Sequence, residues 1–553
     1  MNYLKNQKKN YKKLNERLTA YIAQLHKIYE IYNKEASSIA LRTNYTADDD
    51  FEFKFSDFPE TKYAVERLQR NFSNSLSALV YSGISKEWKN SNEAQDLMAN
   101  EILKKYNARV NGEKYKIIYQ TNSDALKAFL ERKDKGFGIS DKIWNQSGNY
   151  IKSLEAAIST AISKGTSAVT LSKQISKYLI DFKKLQKDYK SKFGQATDIH
   201  DCEYRSARLA RSEINMAYRT AEQTRWNQMD FVLGYEIELS NSHPKHDICD
   251  TLSGSYPKDF KWTGWHPNDL CHCVPILMSE SDFIKWNNGE PVEIKEIKDV
   301  PEAFKQWVFD NQNKIGQTDN NKLPYWVRDN RDRIDTLNAT RNKEVERYNS
   351  KIFSEEQMEN NRQISKILNI PQGKAMSFTD ANGGKVNPEF NSPDAELNGY
   401  YNNCQTCTLA YELRRRGFNV EALPNKDDEF YKKWCKENQT NIFERFKFKD
   451  RNVGVSSYDW KYNFKDTDQR INFIYNRTTA VGRYEVLCSW EGGGGHVFIV
   501  ERQKRGNLLW YDPQTGRKGD FNIEDIQKMK SIGILKIDNL LINTLFLQRI
   551  KPI

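Results

Sequence analysis

At 553 residues the chain exceeds the size of one hydrophobic core, which predicts about three to four domains with separate functions. A hydrophobic share of 38%, a charged share of 29% and a mean hydropathy of -0.82 exclude a membrane-embedded chain and indicate packed cores with large solvated surfaces. The net charge of +11 is the small excess of 85 basic over 74 acidic side chains, so it does not establish nucleic-acid binding, and DNA contact through a basic surface stays open.

Neither a secretory signal nor a membrane span is expected. The start, MNYLKNQKKNYKK, is basic but has no apolar core behind it. The apolar tail ILKIDNLLINTLFL is interrupted by Lys536, Asp538 and Asn543, whereas a membrane span needs roughly 20 apolar residues. We therefore expect a cytosolic or particle-bound protein. Its eight cysteines are too sparse for a disulfide framework and favour reduced thiols, metal ligands or a nucleophile.

Residues 1–190 have the pattern of a helical region. The stretches NERLTAYIAQLHKIYEIY and AVERLQRNFSNSLSALVYSGI carry apolar residues at spacings of three and four. Between them, NYTADDDFEFKFSDFPET breaks the pattern as a loop would. A further helical stretch is interrupted at Gly165-Thr166-Ser167, where Ser167 is expected to cap the next helix. These helices offer no catalytic signature.

Residues 200–285 hold four of the eight cysteines and five of the seven histidines. His246 and Cys249 have H-x2-C spacing, and three more potential ligands, His266, Cys271 and Cys273, follow within about 25 residues. Imidazole and thiolate suit tetrahedral zinc, and a short loop gains stability from such a clip. These five residues are therefore candidate ligands of a structural zinc ion. Cys271 and Cys273 are only two apart, which makes joint ligation tight, and a metal-free hydrogen-bonded loop is the alternative.

The same segment resembles the phage head morphogenesis family. The resemblance lies in the Arg211-Ser212-Glu213 triplet followed by SHPKHDICDTLSG and WHPNDLCHC, and it covers roughly residues 150–285. The family often has arginine between its last two cysteines, where this chain has His272. The resemblance implies a head morphogenesis domain over residues 191–285. It also implies a minor capsid protein found in the virion and the bacterial host cytoplasm, with phage portal and capsid proteins as partners.

Residues 286–375 are strongly charged and predict a helical linker. The segment GKAMSFTDANGGKVNPEFNSPDAELNGY that ends this region is rich in Gly, Asn, Ser and Pro, which is typical of a domain boundary. The last domain is therefore predicted over residues 376–553.

The stretch YYNNCQTCTLAYELRRRGFNVEALP predicts a loop, a helix and a strand. Asn403 is a candidate helix cap, and Gly417 is expected to end the helix. Cys404 then lies in the first helical turn, where the helix dipole and free backbone amides favour a thiolate nucleophile. Cys407, one turn further along, is the alternative nucleophile. The non-catalytic alternative is that Cys404 is a buried structural cysteine in an amphipathic helix.

The stretch VLCSWEGGGGHVFIVERQKRGNLLWYDPQTGR predicts a β-hairpin that turns at residues 504–507. With its midpoint at Lys504, this hairpin brings His496 and Asp512 close together across the ladder. His496 is the only histidine after residue 272, so an imidazole base in this region must be His496. The glycines Gly492–Gly495 leave space for a substrate backbone beside it. A cysteine on a helix, a histidine opening a strand and an acid on the next strand form a hydrolase triad.

NCQTC, GHVF and YDPQTG together resemble the papain-fold toxin family, which includes proposed glutamine deamidases. The resemblance covers about residues 395–525. It implies that Cys404 is the nucleophile, that His496 is the base and that Asp512 orients the histidine. Gln514 belongs to the same DPQ motif, with a less defined role. No cofactor is required for this chemistry.

The sequence thus predicts a multidomain α+β protein with a helical N-terminal region, a small mixed head morphogenesis domain and a C-terminal papain-like cysteine-hydrolase fold. Its predicted function is that of a portal-associated minor head protein whose last domain deamidates glutamine, or cleaves peptide bonds, in a host or virion protein. The first alternative is a purely structural head protein with a catalytically silent papain-like binding domain. The second is a polymorphic toxin or maturation protease for which the head-like segment serves only in delivery.

Overall fold

The computed structural model describes residues 2–43, 45, 51–109, 112–162, 167–195, 201–240, 246–382, 384–425, 444–519 and 523–553. The predicted break at Gly165-Thr166 and His243 of the SHPKHD motif lie outside these residues. The chain forms two compact units. Unit 1 comprises Met1–Lys305 and Thr318–Asp332, and unit 2 comprises Gln306–Gln317 and Arg333–Ile553. Within the described ranges, no helix is both long enough and apolar enough to cross a membrane.

Helices dominate the first part of the chain, as predicted. They are α1 Asn2–Ala40, α2 Lys62–Lys105, α3 Gly112–Ile118, α4 Ser123–Glu131, α5 Ile139–Ala161, α6 Ala168–Ile180, α7 Phe182–Phe193, α8 Cys202–Gln228, α9 Ile248–Leu252 and α10 Glu280–Asn288. On α1, Leu14, Leu18 and Leu25 are fully buried, and their spacing places them on one helix face. The Ser167 side chain accepts a hydrogen bond from the Thr170 amide at 3.2 Å, which confirms the predicted cap.

Unit 1 also contains three strands, which follow the long helix α8 in the chain. They are β1 Val232–Glu238, β2 Gly254–Tyr256 and β3 His272–Leu277, in the antiparallel order β2-β1-β3. Ile214 and Ala217 of α8 share one hydrophobic core with the leucines of α1. The predicted segments 1–190 and 191–285 therefore lie in the same compact unit, and their division into separate functional domains stays a prediction.

The remaining helices and strands follow in chain order. The helices are α11 Glu302–Asp310, α12 Gln312–Gln317, α13 Tyr325–Asp329, α14 Arg331–Asn349, α15 Glu355–Leu368, α16 Phe378–Ala381, α17 Cys404–Arg415, α18 Thr467–Arg477 and α19 Ile523–Gln527. The strands are β4 Val420–Ala422, β5 Phe446–Lys447, β6 Asp459–Tyr462, β7 Gly482–Trp490, β8 Gly495–Arg502, β9 Leu508–Tyr511, β10 Lys518–Gly519, β11 Met529–Lys536, β12 Leu541–Ile542 and β13 Ile550–Pro552.

A six-stranded antiparallel sheet, in the order β10-β9-β8-β7-β11-β6, forms the centre of unit 2. Val497 and Ile499 of β8 pack into the same core as Leu413 of α17. Phe498 and Val500 pack into a second core with Ile474 of α18. Because side chains alternate along a strand, the sheet is covered on both faces, and α17 is held against one of them.

The boundary predicted near residue 375 does not divide the two compact units. Ile364 and Leu368 of α15 lie in the same core as Leu413 of α17, so the segment before residue 376 packs as part of unit 2. The Gly- and Asn-rich segment that suggested the boundary contributes the buried Ala381 and Val386 to this core. Its composition suits the irregular backbone of this segment, and a domain boundary at residue 376 stays a prediction.

Buried ion pairs fix the C-terminal half of α17 to the sheet. Glu412 is fully buried and accepts hydrogen bonds from Arg416 Nε at 3.0 Å and from Arg483 Nε of β7 at 2.7 Å. Burial alone would raise the pKa of Glu412, but the two guanidinium groups outweigh it and lower that pKa. Gly417, at φ +97°, ends the helix as predicted. These contacts hold α17, which begins at Cys404, in place against the sheet.

Candidate active site

Cys404 is the first residue of α17, as the sequence predicts. Of the seven cysteines that the structure describes, it is half-buried and the other six are buried. Cys407, one turn further along, is fully buried in the hydrophobic core, and this burial raises the pKa of its thiol. Cys407 is therefore a packed, protonated thiol, and Cys404 is the accessible one of the two.

The predicted hairpin brings His496 and Asp512 together. Strands β8 and β9 pair with Ile499 opposite Tyr511, and the Gln503 amide donates to the Asn507 carbonyl at 2.9 Å across the turn. The midpoint of this register lies one residue later than the predicted midpoint, so Asp512 lies diagonal to His496 rather than directly opposite it. The two side chains nevertheless meet, with His496 Nε2 at 3.2 Å from Asp512 Oδ2.

The pKa values of His496 and Asp512 depend on each other, and that of His496 also depends on Cys404. Burial of the ring would lower the pKa of His496, but hydrogen bonds and charge interactions with Asp512 and Cys404 raise it to about 10. Burial would likewise raise the pKa of Asp512, yet the interactions with His496 and Thr515 lower it. At neutral pH the His496 imidazole is therefore protonated, and it lies against the Asp512 carboxylate.

Asp512 is held by the turn that follows β9. Its Oδ1 accepts a hydrogen bond from the Gln514 amide at 3.0 Å, and its Oδ2 accepts one from the Thr515 hydroxyl at 2.9 Å. The Asp512 amide donates to the Arg517 carbonyl at 2.9 Å. The DPQT sequence thus forms a local turn in which the carboxylate has little freedom to leave the histidine.

The Gln514 side chain contacts Asn403, the residue before Cys404. Gln514 Nε2 donates to Asn403 Oδ1 at 3.2 Å, and Asn403 exchanges hydrogen bonds with Asn387 at 3.1 and 3.2 Å. Asn387 Nδ2 also donates to the Gln514 carbonyl at 3.1 Å. The predicted capping role of Asn403 is wrong, because its side chain makes no cap hydrogen bond and joins this buried amide cluster instead.

This amide cluster, consisting of Asn387, Asn403 and Gln514, ties the turn that carries Asp512 to the start of α17. We predict that Gln514→Ala removes one of the two donors to Asn403 Oδ1 and leaves the one from Asn387, which costs about 0.5–1.5 kcal/mol. Alkylation of Cys404 by iodoacetamide at pH 7 should slow by roughly 10-fold and its pH profile should shift, since the histidine pair is displaced. The exposed Gln548→Ala serves as the matched control. An unchanged alkylation rate and pH profile in Gln514→Ala would contradict the positioning role.

Part of the glycine loop before His496 has open surroundings. A Cβ atom added at Gly492 or Gly493 would meet nothing within 4 Å, and Gly493 has φ +92°. The Trp490 ring is stacked on the His496 ring, with centroids 6.4 Å apart. The space for a substrate backbone beside His496 stays a prediction, and the Trp490 ring lies on one side of the imidazole.

Arg445 is a residue near the site that the sequence pattern did not reveal. It is buried, donates to the Gln405 carbonyl at 2.8 Å and pairs with Glu485 at 2.7 Å. Burial would lower the pKa of Arg445, but Glu485, Tyr458 and Cys404 raise it. A single arginine in a strongly charged sequence cannot be recognised as a residue near the site. The position of Arg445 depends on how β5 packs beside α17.

Residues 402–517 match the family Papain fold toxin 1, glutamine deamidase. The match covers less than half of the chain, but it includes Cys404, His496, Asp512 and Gln514. It confirms the resemblance predicted for the C-terminal part. No curated protein and no solved structure matches the chain. No comparison supports the resemblance of residues 150–285 to phage head morphogenesis proteins, and that resemblance stays a prediction.

The predicted metal ligands of unit 1 meet only in part. Cys249, His266 and Cys271 lie in two overlapping groups of donor atoms. His246 lies outside both groups, with an 83% exposed side chain whose Nδ1 is 3.3 Å from Asp250 Oδ2. Cys273 is fully buried in β3 and also lies outside them. The groups contain Asp247 and Asp269 instead, which the spacing of histidines and cysteines does not indicate.

Proposed function

We propose that the papain-fold domain, defined as residues 402–517, is a cysteine hydrolase that converts a glutamine side chain of a protein into glutamate. The observation that carries the proposal is the meeting of Cys404, His496 and Asp512 within the segment that matches a family of glutamine deamidases. Peptide-bond cleavage uses the same groups, and it is the alternative outcome of the test below.

The first half of the proposed reaction forms a thioester. The Cys404 thiolate attacks the carboxamide carbon, and the carbonyl oxygen becomes an oxyanion. The protonated His496 ring then gives its proton to the leaving nitrogen, the C–N bond breaks and ammonia departs. His496 carries this proton at neutral pH because Asp512 and the sulfur stabilise its charged form.

The second half returns the enzyme to its starting state. Neutral His496 takes a proton from water, and the resulting hydroxide equivalent attacks the thioester carbon. The C–S bond breaks, which restores the thiolate on Cys404 and the protonated His496 and leaves a carboxylic acid, which loses its proton to the released ammonia and becomes the glutamate carboxylate. One water is consumed and one ammonia is released for each glutamine, so the reaction needs no redox cofactor.

The start of α17 offers donors for the oxyanion. The first amides of a helix have no acceptor within the helix, and here they belong to residues 404–406. A well-placed donor of this kind is worth on the order of 3 kcal/mol in the transition state. The open glycine loop beside His496 is compatible with a glutamine presented on a protein surface rather than a free amino acid.

The test compares proteins of a bacterial lysate after incubation with the wild-type chain or with Cys404→Ala. Peptide mass spectrometry should find glutamines that gain about one dalton only with the wild type, together with release of ammonia. New chain ends without this mass change would identify a peptidase. If neither change depends on Cys404, the proposal is wrong and the alternative of a catalytically silent binding domain is favoured.

The role in phage head assembly is a separate proposal. It rests on the motifs of residues 150–285 alone, and with it stand the predicted portal and capsid partners and the location in the virion. Detection of the chain in purified virions would support this role, and its presence only in host lysate would favour a free toxin.

A further inference from the structure

Unit 1 contains a compact cluster of potential metal ligands that the hydrolase chemistry does not use. Donor atoms of Asp247, Cys249 and His266 lie within 4.8 Å of one another, and so do those of Cys249, Asp269 and Cys271. The two groups share Cys249. Cys271 is not in the group of Asp247 and His266, so a single cation on the Cys249 sulfur would bring the donors of the two groups closer together than they lie without it.

The orientation of His266 is that of a metal ligand. Its Nδ1 lies 2.9 Å from the Pro267 carbonyl oxygen, which can only accept a hydrogen bond, so Nδ1 carries a proton. Nε2 points at Cys249 Sγ, at 3.3 Å, and at Asp247 Oδ2, at 3.3 Å. Histidines that bind metals commonly donate their second ring N–H to a backbone carbonyl in this way.

Backbone amides hold the two carboxylates in place. Asp269 accepts from the Cys271 amide at 2.8 Å and from the Trp265 amide at 2.7 Å, so both of its oxygens are engaged. Asp247 accepts from the Cys249 amide at 2.7 Å through Oδ1, and its Oδ2 lies 3.3 Å from His266 Nε2. Asp269 is thus suited to orient Cys271, and Asp247 presents an oxygen beside the ring nitrogen that would bind the ion.

The surroundings agree with a structural rather than a catalytic site. Cys249 and Cys271 are each 1% exposed. Residues 246–271 contain only the short helix α9 and the short strand β2, so the loop has little regular structure to hold it. Four protein ligands would close a tetrahedral site and leave no position for water or substrate.

We propose that Cys249, Cys271, His266 and Asp247 bind one zinc ion that clips this loop. Two thiolates, one imidazole and one carboxylate match the donors that tetrahedral zinc accepts, at bond lengths of about 2.0–2.3 Å. This ligand set keeps three of the residues predicted from the sequence, replaces His246 and Cys273 with Asp247, and is independent of the proposed hydrolase activity.

The test measures zinc bound to the purified full-length chain after exposure to a competing chelator. The wild type should retain about one zinc per chain. Cys249→Ser and His266→Gln should each weaken retention by more than about 100-fold, since loss of a group that only orients a ligand already costs about 10–100-fold. The same substitutions at excluded positions, Cys273→Ser and His246→Gln, should retain the ion.

A second measurement keeps the result independent of folding defects. After cobalt replaces zinc, absorption from thiolate-to-cobalt charge transfer should appear in the wild type and in His246→Gln, and should weaken in Cys249→Ser. His266 is partly exposed, with 38% of its side chain accessible, so His266→Gln leaves the core intact. A zinc-free wild type without the cobalt band would overturn the proposal. Equal loss of zinc in His246→Gln and His266→Gln would overturn the ligand set.

Discussion

Replacing His496 with alanine is expected to lower kcat/KM for glutamine deamidation by on the order of 10⁴-fold or more. The imidazole has two tasks in the proposed reaction. It stabilises the Cys404 thiolate before attack, and it supplies the proton that ammonia needs to leave. No other histidine follows residue 272, so no second imidazole of this part of the sequence can take over either task.

Two measurements on His496→Ala separate these tasks. Ammonia release from a glutamine peptide found in the lysate comparison reports the complete reaction. Alkylation of Cys404 by iodoacetamide at pH 7, followed by peptide mass spectrometry, reports the thiolate alone and should also slow. The control is His246→Ala, which removes an imidazole that is 83% exposed and lies outside both candidate sites. Activity of His496→Ala within tenfold of the wild type would contradict the proposed mechanism.

Asp512→Asn is expected to lower kcat by about 10³- to 10⁴-fold at neutral pH and to move the alkaline limb of the pH profile. In the wild type, acylation needs protonated His496, so the rate should fall as pH rises through about 10. Asparagine removes the carboxylate that raises this pKa, and the limb should move toward the ordinary histidine value of about 6.5.

The free energy of unfolding should also depend on pH through the titration of His496. The folded-state pKa of His496 lies above its ordinary value, so its contribution to stability is fully present below about pH 6.5 and is lost as pH rises through about 10. Urea denaturation of the wild type and Asp512→Asn across this range would measure the difference. Asp459→Asn, at a carboxylate with 61% exposure, is the control. An alkaline limb that stays near pH 10 in Asp512→Asn would show that Asp512 does not set the charge of His496.

Much of the candidate active site was predictable because its parts are local in the chain. The helix start at Cys404 follows from the apolar spacing after it and from Gly417 at its end. His496 and Asp512 belong to one hairpin, and a hairpin with a short turn brings residues at similar distances from that turn together, even when its register is off by one position. The helical N-terminal region was equally predictable, since the spacing of apolar residues and the composition of each segment indicate its helices.

The tertiary structure decided which side chains support these parts. Gln514 and Asn403 are 111 residues apart, and no spacing rule relates them. Arg414 and Arg416 look like exposed cations at a helix end, yet both are buried, and Arg416 is paired with Glu412. The spacing of histidines and cysteines likewise does not indicate Asp247 and Asp269, the two carboxylates of the candidate zinc cluster. A short-range pattern determines helices, turns and the residues they carry, whereas the partners of a buried polar group depend on how distant segments pack.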